Sequence, residues 1–105
     1  MMPKRGEVWL FDLGMTEKVR PVLIVSVTFG DTDRALVTII PHTTSLRGSQ
    51  HEVAVNVPFL KPGAFVVQGV TTYSNVRALR RLGALKPDQF DLVFAGLLGW
   101  LGHNA

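Results

Sequence analysis

The chain has no cysteine, which excludes disulfides and thiolate metal sites and leaves no sign of an oxidising compartment. Its three histidines and eight carboxylates are scattered, without the HExxH spacing or the clustering that would announce a metal centre. A glycine-rich phosphate loop is missing, and so is any Ser/His/Asp order suited to nucleophilic catalysis. No apolar run reaches the roughly 18 residues of a membrane span. The nearest, Leu92 to Leu101, is broken by Gly96 and Gly99. The opening MMPKRGEV turns polar at once instead of building a signal peptide's apolar stretch, so the expected location is the cytoplasm, away from membranes. Acidic residues are absent from one long stretch. None lies between Glu52 and Asp88, whereas Lys61, Arg77, Arg80, Arg81 and Lys86 all do.

What is present points to one ordered domain over residues 1–105, because 47% apolar and 18% charged residues suit a single modest core rather than disorder. The net charge of +3 is unevenly spread: residues 1–52 carry six basic and six acidic groups, residues 53–105 five and two. Clustered Lys and Arg favour an anionic partner through counterion release. A merely solvated basic face accounts for the charge equally well.

Short strands with turns between them fill the first two thirds of the chain. Glu7 to Leu13 alternates in part and stops at Gly14, and a compact GMTEK turn follows. Pro21 stands where a strand tolerates it, at the start of PVLIVSV, whose unbroken apolar run predicts burial on both faces. After the FGDTD turn, Ala35 to Thr43 forms a third strand of an antiparallel meander. HEVAVNV (51–57) alternates as a fourth. Phe65 to Tyr73 reads as a fifth, with Gly69 marking a bulge or a close backbone approach. Ser74 to Leu85 is compatible with a helical turn followed by a short strand. Lys86-Pro87-Asp88 then opens a helix in which Phe90, Val93, Phe94, Leu97, Leu98 and Leu101 share one face. Leu92 and Trp100 stand off that face, so the helix is either sandwiched within one chain or shared with a second subunit. The expected class is α+β, mainly β: a small antiparallel barrel or sandwich with a C-terminal helix.

Two polar groups at strand ends are not explained by strand physics, Arg20 before PVLIVSV and Thr43 at the close of ALVTIIPHT. Taken alone, they also suit a surface arginine and a β-former capping a turn. In order and spacing, however, the N-terminal RG, RPVLIVS and PHTTS resemble the MazF/PemK family, the toxin halves of toxin–antitoxin pairs, over nearly the whole chain. The resemblance implies an SH3-like barrel and a metal-independent, sequence-specific endoribonuclease that cleaves single-stranded RNA without a cofactor. It also implies a homodimer and neutralisation by a cognate antitoxin lying across the RNA groove. In such an enzyme the substrate's 2′-hydroxyl attacks the adjacent phosphate, and the protein supplies positioning, charge stabilisation and proton transfer.

Residue by residue, the resemblance places the family's catalytic arginine on Arg20 and its threonine on Thr43, with Thr44 as the neighbour in reach. An arginine, with a pKa above about 12, suits charge stabilisation rather than general-base work. His42 has the pKa for a base, but alternation turns it away from Thr43, so it reads as a satisfied structural histidine. His51 is not fixed by spacing. Gln68 and Thr72 are the candidate base-edge contacts, and Lys18, Arg77 and Arg81 the candidate backbone contacts. Trp9 and Tyr73 are candidate stacking rings, Trp9 also alternating with core positions. The first loop is shorter than in many members, with Glu17 as its acidic residue. Two other functions fit a small barrel: a module that binds nucleic acid or peptide without chemistry, and a toxin of related fold that poisons DNA gyrase. Neither needs the Arg20/Thr43 pair.

Overall fold

The computed structural model describes residues 2–14 and 18–103; the GMTEK turn's centre and Glu17 lie outside the described residues. The described residues form seven strands, β1 (Glu7–Asp12), β2 (Val19–Ile24), β3 (Leu36–Thr43), β4 (Glu52–Val53), β5 (Ala64–Val66), β6 (Thr71–Ser74) and β7 (Ala78–Ala84), followed by helix α1 (Pro87–Trp100). Every pairing is antiparallel, in the order β4-β5-β3-β2-β1-β7. The eight-residue β3 is the hub. Its first half pairs with β6 (Val37↔Tyr73, Ile39↔Thr71) and its last two residues with β5 (His42↔Phe65, Thr43↔Ala64).

Side-chain alternation in these strands builds two cores, one on each face of the bent sheet. Val8, Leu23, Ile40 and Phe65 pack with Val93 and Leu97 of α1, and Trp9, Phe11, Val22, Ile24, Val37 and Ile39 fill the other face. The Val22–Val25 run is thus buried on both sides, as its composition predicts. Leu13 N–H donates to Lys18 O (2.8 Å) and Lys18 N–H to Gly14 O (2.7 Å), so β1 and β2 are joined tightly across the short first loop.

The closed barrel is not formed. β4 and β7 end the path without pairing to each other, because β4 is only two residues long. The predicted strand over 51–57 is reduced to β4; Val55 is still buried, but beyond Val53 the chain runs irregularly into Pro58. The predicted strand over 65–73 is likewise split by a 3-10 turn at Val67–Gly69. Gly69 is the reason: a Cβ there would stand 2.7 Å from Pro41 Cγ, so the backbone takes the space a side chain would need. Ser74 to Leu85 forms the expected short turn, Asn75–Arg77, and then β7.

Helix α1 starts where Pro87 and Asp88 predict, with Gln89 Oε1 accepting from Lys86 N–H at 2.9 Å. Arg5 clamps it to the sheet: its guanidinium lies 4.5 and 4.6 Å from the Phe90 and Phe94 ring centres and donates to Val25 O. The helix is not sandwiched. Leu92 and Leu101 are 60% and 62% exposed, and Trp100 is covered on one side by His51, ring centres 5.0 Å apart. Among the described residues no helix is long and apolar enough to cross a membrane.

Candidate functional site

Strands β2 and β3 pair as Val22↔Pro41, Leu23↔Ile40 and Ile24↔Ile39. The paired register ends at Val22 and Pro41, and Arg20 and Thr43 lie two residues beyond it, near the start of β2 and at the close of β3. Arg20 is opposite Phe11 of β1. The Thr43 hydroxyl is held in a turn, accepting from Ser45 N–H at 3.0 Å, which leaves its own proton available.

Arg20, His42 and Thr43 form a wall between two clefts. The first, about 540 Å³, has an apolar floor including Leu10, Pro21, Phe59 and Leu82 and a rim including the cations Lys18, Arg20, Lys61 and Arg80, with no carboxylate among the described residues that line it. The second, about 530 Å³, is more polar and includes Arg47, Gln68, Ser45, Ser49 and Glu52. Glu52 stays ionised there, its carboxylate accepting from the Arg47, Gly48 and Ser49 N–H groups at 2.9–3.2 Å. These bonds, the Arg47 amide's above all, hold its carboxyl below the usual range. They also fix the loop that carries Arg47 over the cleft. Lys18 reaches the first cleft from a left-handed backbone (φ 58), rare for a residue with a side chain.

The fold brings together Lys18, Arg20, Thr43, Thr44 and Gln68 around one wall. Three other candidates lie elsewhere. Thr72 meets the Thr38 hydroxyl at 2.7 Å on the outer side of β3. Arg77 donates to Asp12 O at 3.3 Å and lies 5.6 Å from the Tyr73 ring centre. Arg81 Nε is 2.9 Å from Glu7 Oε2. Burial works against ionised Glu7, but hydrogen bonds from Trp9, Lys4 and Arg81 outweigh it and lower its pKa. Trp9, 4% exposed and donating its indole N–H to that carboxylate, belongs to the core and not to a stacking surface.

Lys61, Arg80 and Arg47 are cleft cations that sequence reasoning did not select. The signal for Arg80 is the pairing Leu10↔Arg80 beside Trp9↔Arg81, which sends adjacent arginines to opposite faces. His42 is buried as expected, edge-on to Phe65 at 5.0 Å. It is not satisfied: Nε2 has no hydrogen-bond partner, and burial pushes the imidazole pKa down, keeping it neutral at pH 7. His51 is against Trp100 and lines neither cleft. Among the described residues, no three His, Asp or Glu side chains converge as metal ligands would.

A mainly-β antiparallel sheet carrying one C-terminal helix, with cation-rimmed clefts at its strand ends, defines the class. A family model described as "PemK-like, MazF-like toxin of type II toxin-antitoxin system" matches residues 4–101, and the chain belongs to that family. Solved structures agree over almost the full length. An endoribonuclease in complex with its cognate antitoxin from a mycobacterial species is 26% identical, with a TM-score of 0.83 and 98% of each chain covered. The Mycobacterium tuberculosis toxin MazF-mt6 is 25% identical, with a TM-score of 0.78 over 94% of this chain and 99% of that one. A MazE–MazF complex from Deinococcus radiodurans, 21% identical with a TM-score of 0.82 over 99% of both chains, shares the fold.

Proposed function

We propose that this toxin is an endoribonuclease, a single domain over residues 1–105, that cuts single-stranded RNA without a metal ion. The reading rests above all on Arg20 and Thr43 both lining the wall shared by two clefts. A scissile phosphate seated on that wall has a nucleotide to either side. The 2′-oxygen loses its proton and bonds to phosphorus, the bond to the 5′-oxygen breaks, and that oxygen takes a proton, leaving a 2′,3′-cyclic phosphate and a 5′-hydroxyl. Arg20 carries the charge that builds on the non-bridging oxygens, and the free Thr43 proton bonds one of them. Lys18 and Thr44 hold the backbone from the first cleft, while Gln68 reads a base edge in the second. The family and its antitoxin-bound neighbours support neutralisation by a cognate antitoxin, and the proposed toxin is a homodimer acting in the cytoplasm.

The test is cleavage of a mixed-sequence RNA in excess EDTA, with the ends identified chemically. Cyclic phosphate and 5′-hydroxyl ends at a restricted set of sequences are expected, with no cleavage of the all-2′-deoxy oligonucleotide. Activity lost in EDTA and restored by magnesium would falsify the metal-free step. RNA binding without cleavage would leave a binding module.

A further inference from the structure

A third, smaller cavity opens beside the second cleft. It measures about 240 Å³ and is lined by Leu13, Ile39, Pro41, Gly69, Thr71 and Tyr73. Pro41 and Gly69 also line the second cleft, so the two spaces adjoin at a saddle formed by these residues. Gly69 keeps that saddle in place, since a Cβ at 2.7 Å from Pro41 Cγ would displace the proline.

The register of β6 on β3 sets Tyr73 opposite Val37 and Thr71 opposite Ile39, which places both at the edge of the inner core. Tyr73 is half-buried, with its ring against that core and the Arg77 guanidinium 5.6 Å from the ring centre. Thr71 donates its hydroxyl proton to Gly69 O at 2.9 Å, so its oxygen has only lone pairs to offer a ligand. The space therefore combines an aromatic ring, a nearby cation, apolar walls and one acceptor.

We propose that this cavity is a nucleobase subsite for the RNA strand held at the Arg20–Thr43 wall, taking a base one step beyond the one beside Gln68. This rests on the RNA reading above and adds to it a specific place and preference. The base stacks on Tyr73, as sequence-tolerant stacking on aromatic rings does in single-strand binders. Arg77, whose contacts to Asp12 at 3.3 and 4.0 Å are exposed, meets the adjoining phosphate. Thr71 selects a base edge that donates a hydrogen bond. Tyr73 is thus an affinity residue and Thr71 a specificity residue, both outside the bond-breaking wall.

A non-cleavable oligonucleotide, RNA with a 2′-deoxy sugar at the cut site, tests this when 2-aminopurine is moved along it one position at a time. One position outside the cut dinucleotide should be quenched on binding. Tyr73→Phe should keep that quenching. Tyr73→Leu, which preserves apolar volume without a ring, should lose it along with roughly ten-fold in affinity. Unaltered quenching in Tyr73→Leu, or bound RNA with no quenched position, overturns the subsite. Should Tyr73→Leu melt well below the parent, Thr71→Val decides: losing the preference for a donating base edge supports the subsite, and keeping it refutes it. Failure of the ribonuclease reading looks different. A protein that binds with position-specific, Tyr73-dependent quenching but never cleaves retains the subsite and loses the chemistry, whereas cleavage with Tyr73-independent binding does the reverse. A parent that binds no RNA overturns both.

Discussion

Arg80 and Arg81 are adjacent in sequence, carry the same charge and are both exposed, yet β7 sends the first to the cleft beside Leu10 and the second to Glu7. Replacing either with alanine lowers the net charge equally, so a difference between the variants reports position and not total charge. If all four cations of the first cleft meet phosphates, the slope of log affinity against log salt is about −0.7 for each on a single strand, or about −2.8 in all for an oligonucleotide too short to reach Arg77. Between about 50 and about 200 mM salt, affinity then falls roughly 50-fold. Removing Arg80 should reduce the slope to about −2.1 and that fall to roughly 20-fold. Arg81→Ala should leave the slope at the parent's value and lower stability by no more than about 1 kcal/mol through the Glu7 pair. The assay is fluorescence anisotropy of a non-cleavable oligonucleotide of that length over a salt series, with melting temperatures recorded alongside. Equal slope losses in the two variants would show that only overall charge matters and that the cleft is not the strand's path.

Arg20→Ala should lower the cleavage rate by about 10²–10³ while moving the melting temperature little, because the side chain is only half-buried; a collapse in stability with the rate per folded molecule retained would make Arg20 structural. His42 has a folded pKa below its ordinary 6.5, so its contribution is fully present above pH 6.5 and is lost as pH falls from there toward the folded value. Melting temperature should drop over that window by up to about 1.4 kcal/mol per pH unit in free-energy terms, and His42→Leu should flatten the dependence; an equal slope in that variant refutes the assignment. Glu52→Ala leaves three loop N–H groups without their acceptor, and hydrogen exchange at Gly48 and Ser49 should accelerate by roughly an order of magnitude while β2 amides stay protected. Unaltered exchange would mean the loop is fixed by other contacts.

Local patterns in the chain determined a good deal on their own. Periodicity and punctuation defined β1, β2, β3 and α1, since apolar alternation, a strand-opening Pro21 and the Lys86-Pro87-Asp88 start each act within a few residues. The same local reading singled out Arg20 and Thr43 as candidates, because a charge and a hydroxyl at the ends of apolar strands stand out against their neighbours. It overextended the strands at 51–57 and 65–73, where Val55 and Val57 keep the alternation without a partner strand and Gly69 yields to Pro41. Which arginine of an adjacent pair enters a cleft, whether a sheet closes, and which cations share a rim were decided only by pairing between segments far apart in sequence. A strand's own pattern says that its faces alternate; only the partner it bonds to says which face is which.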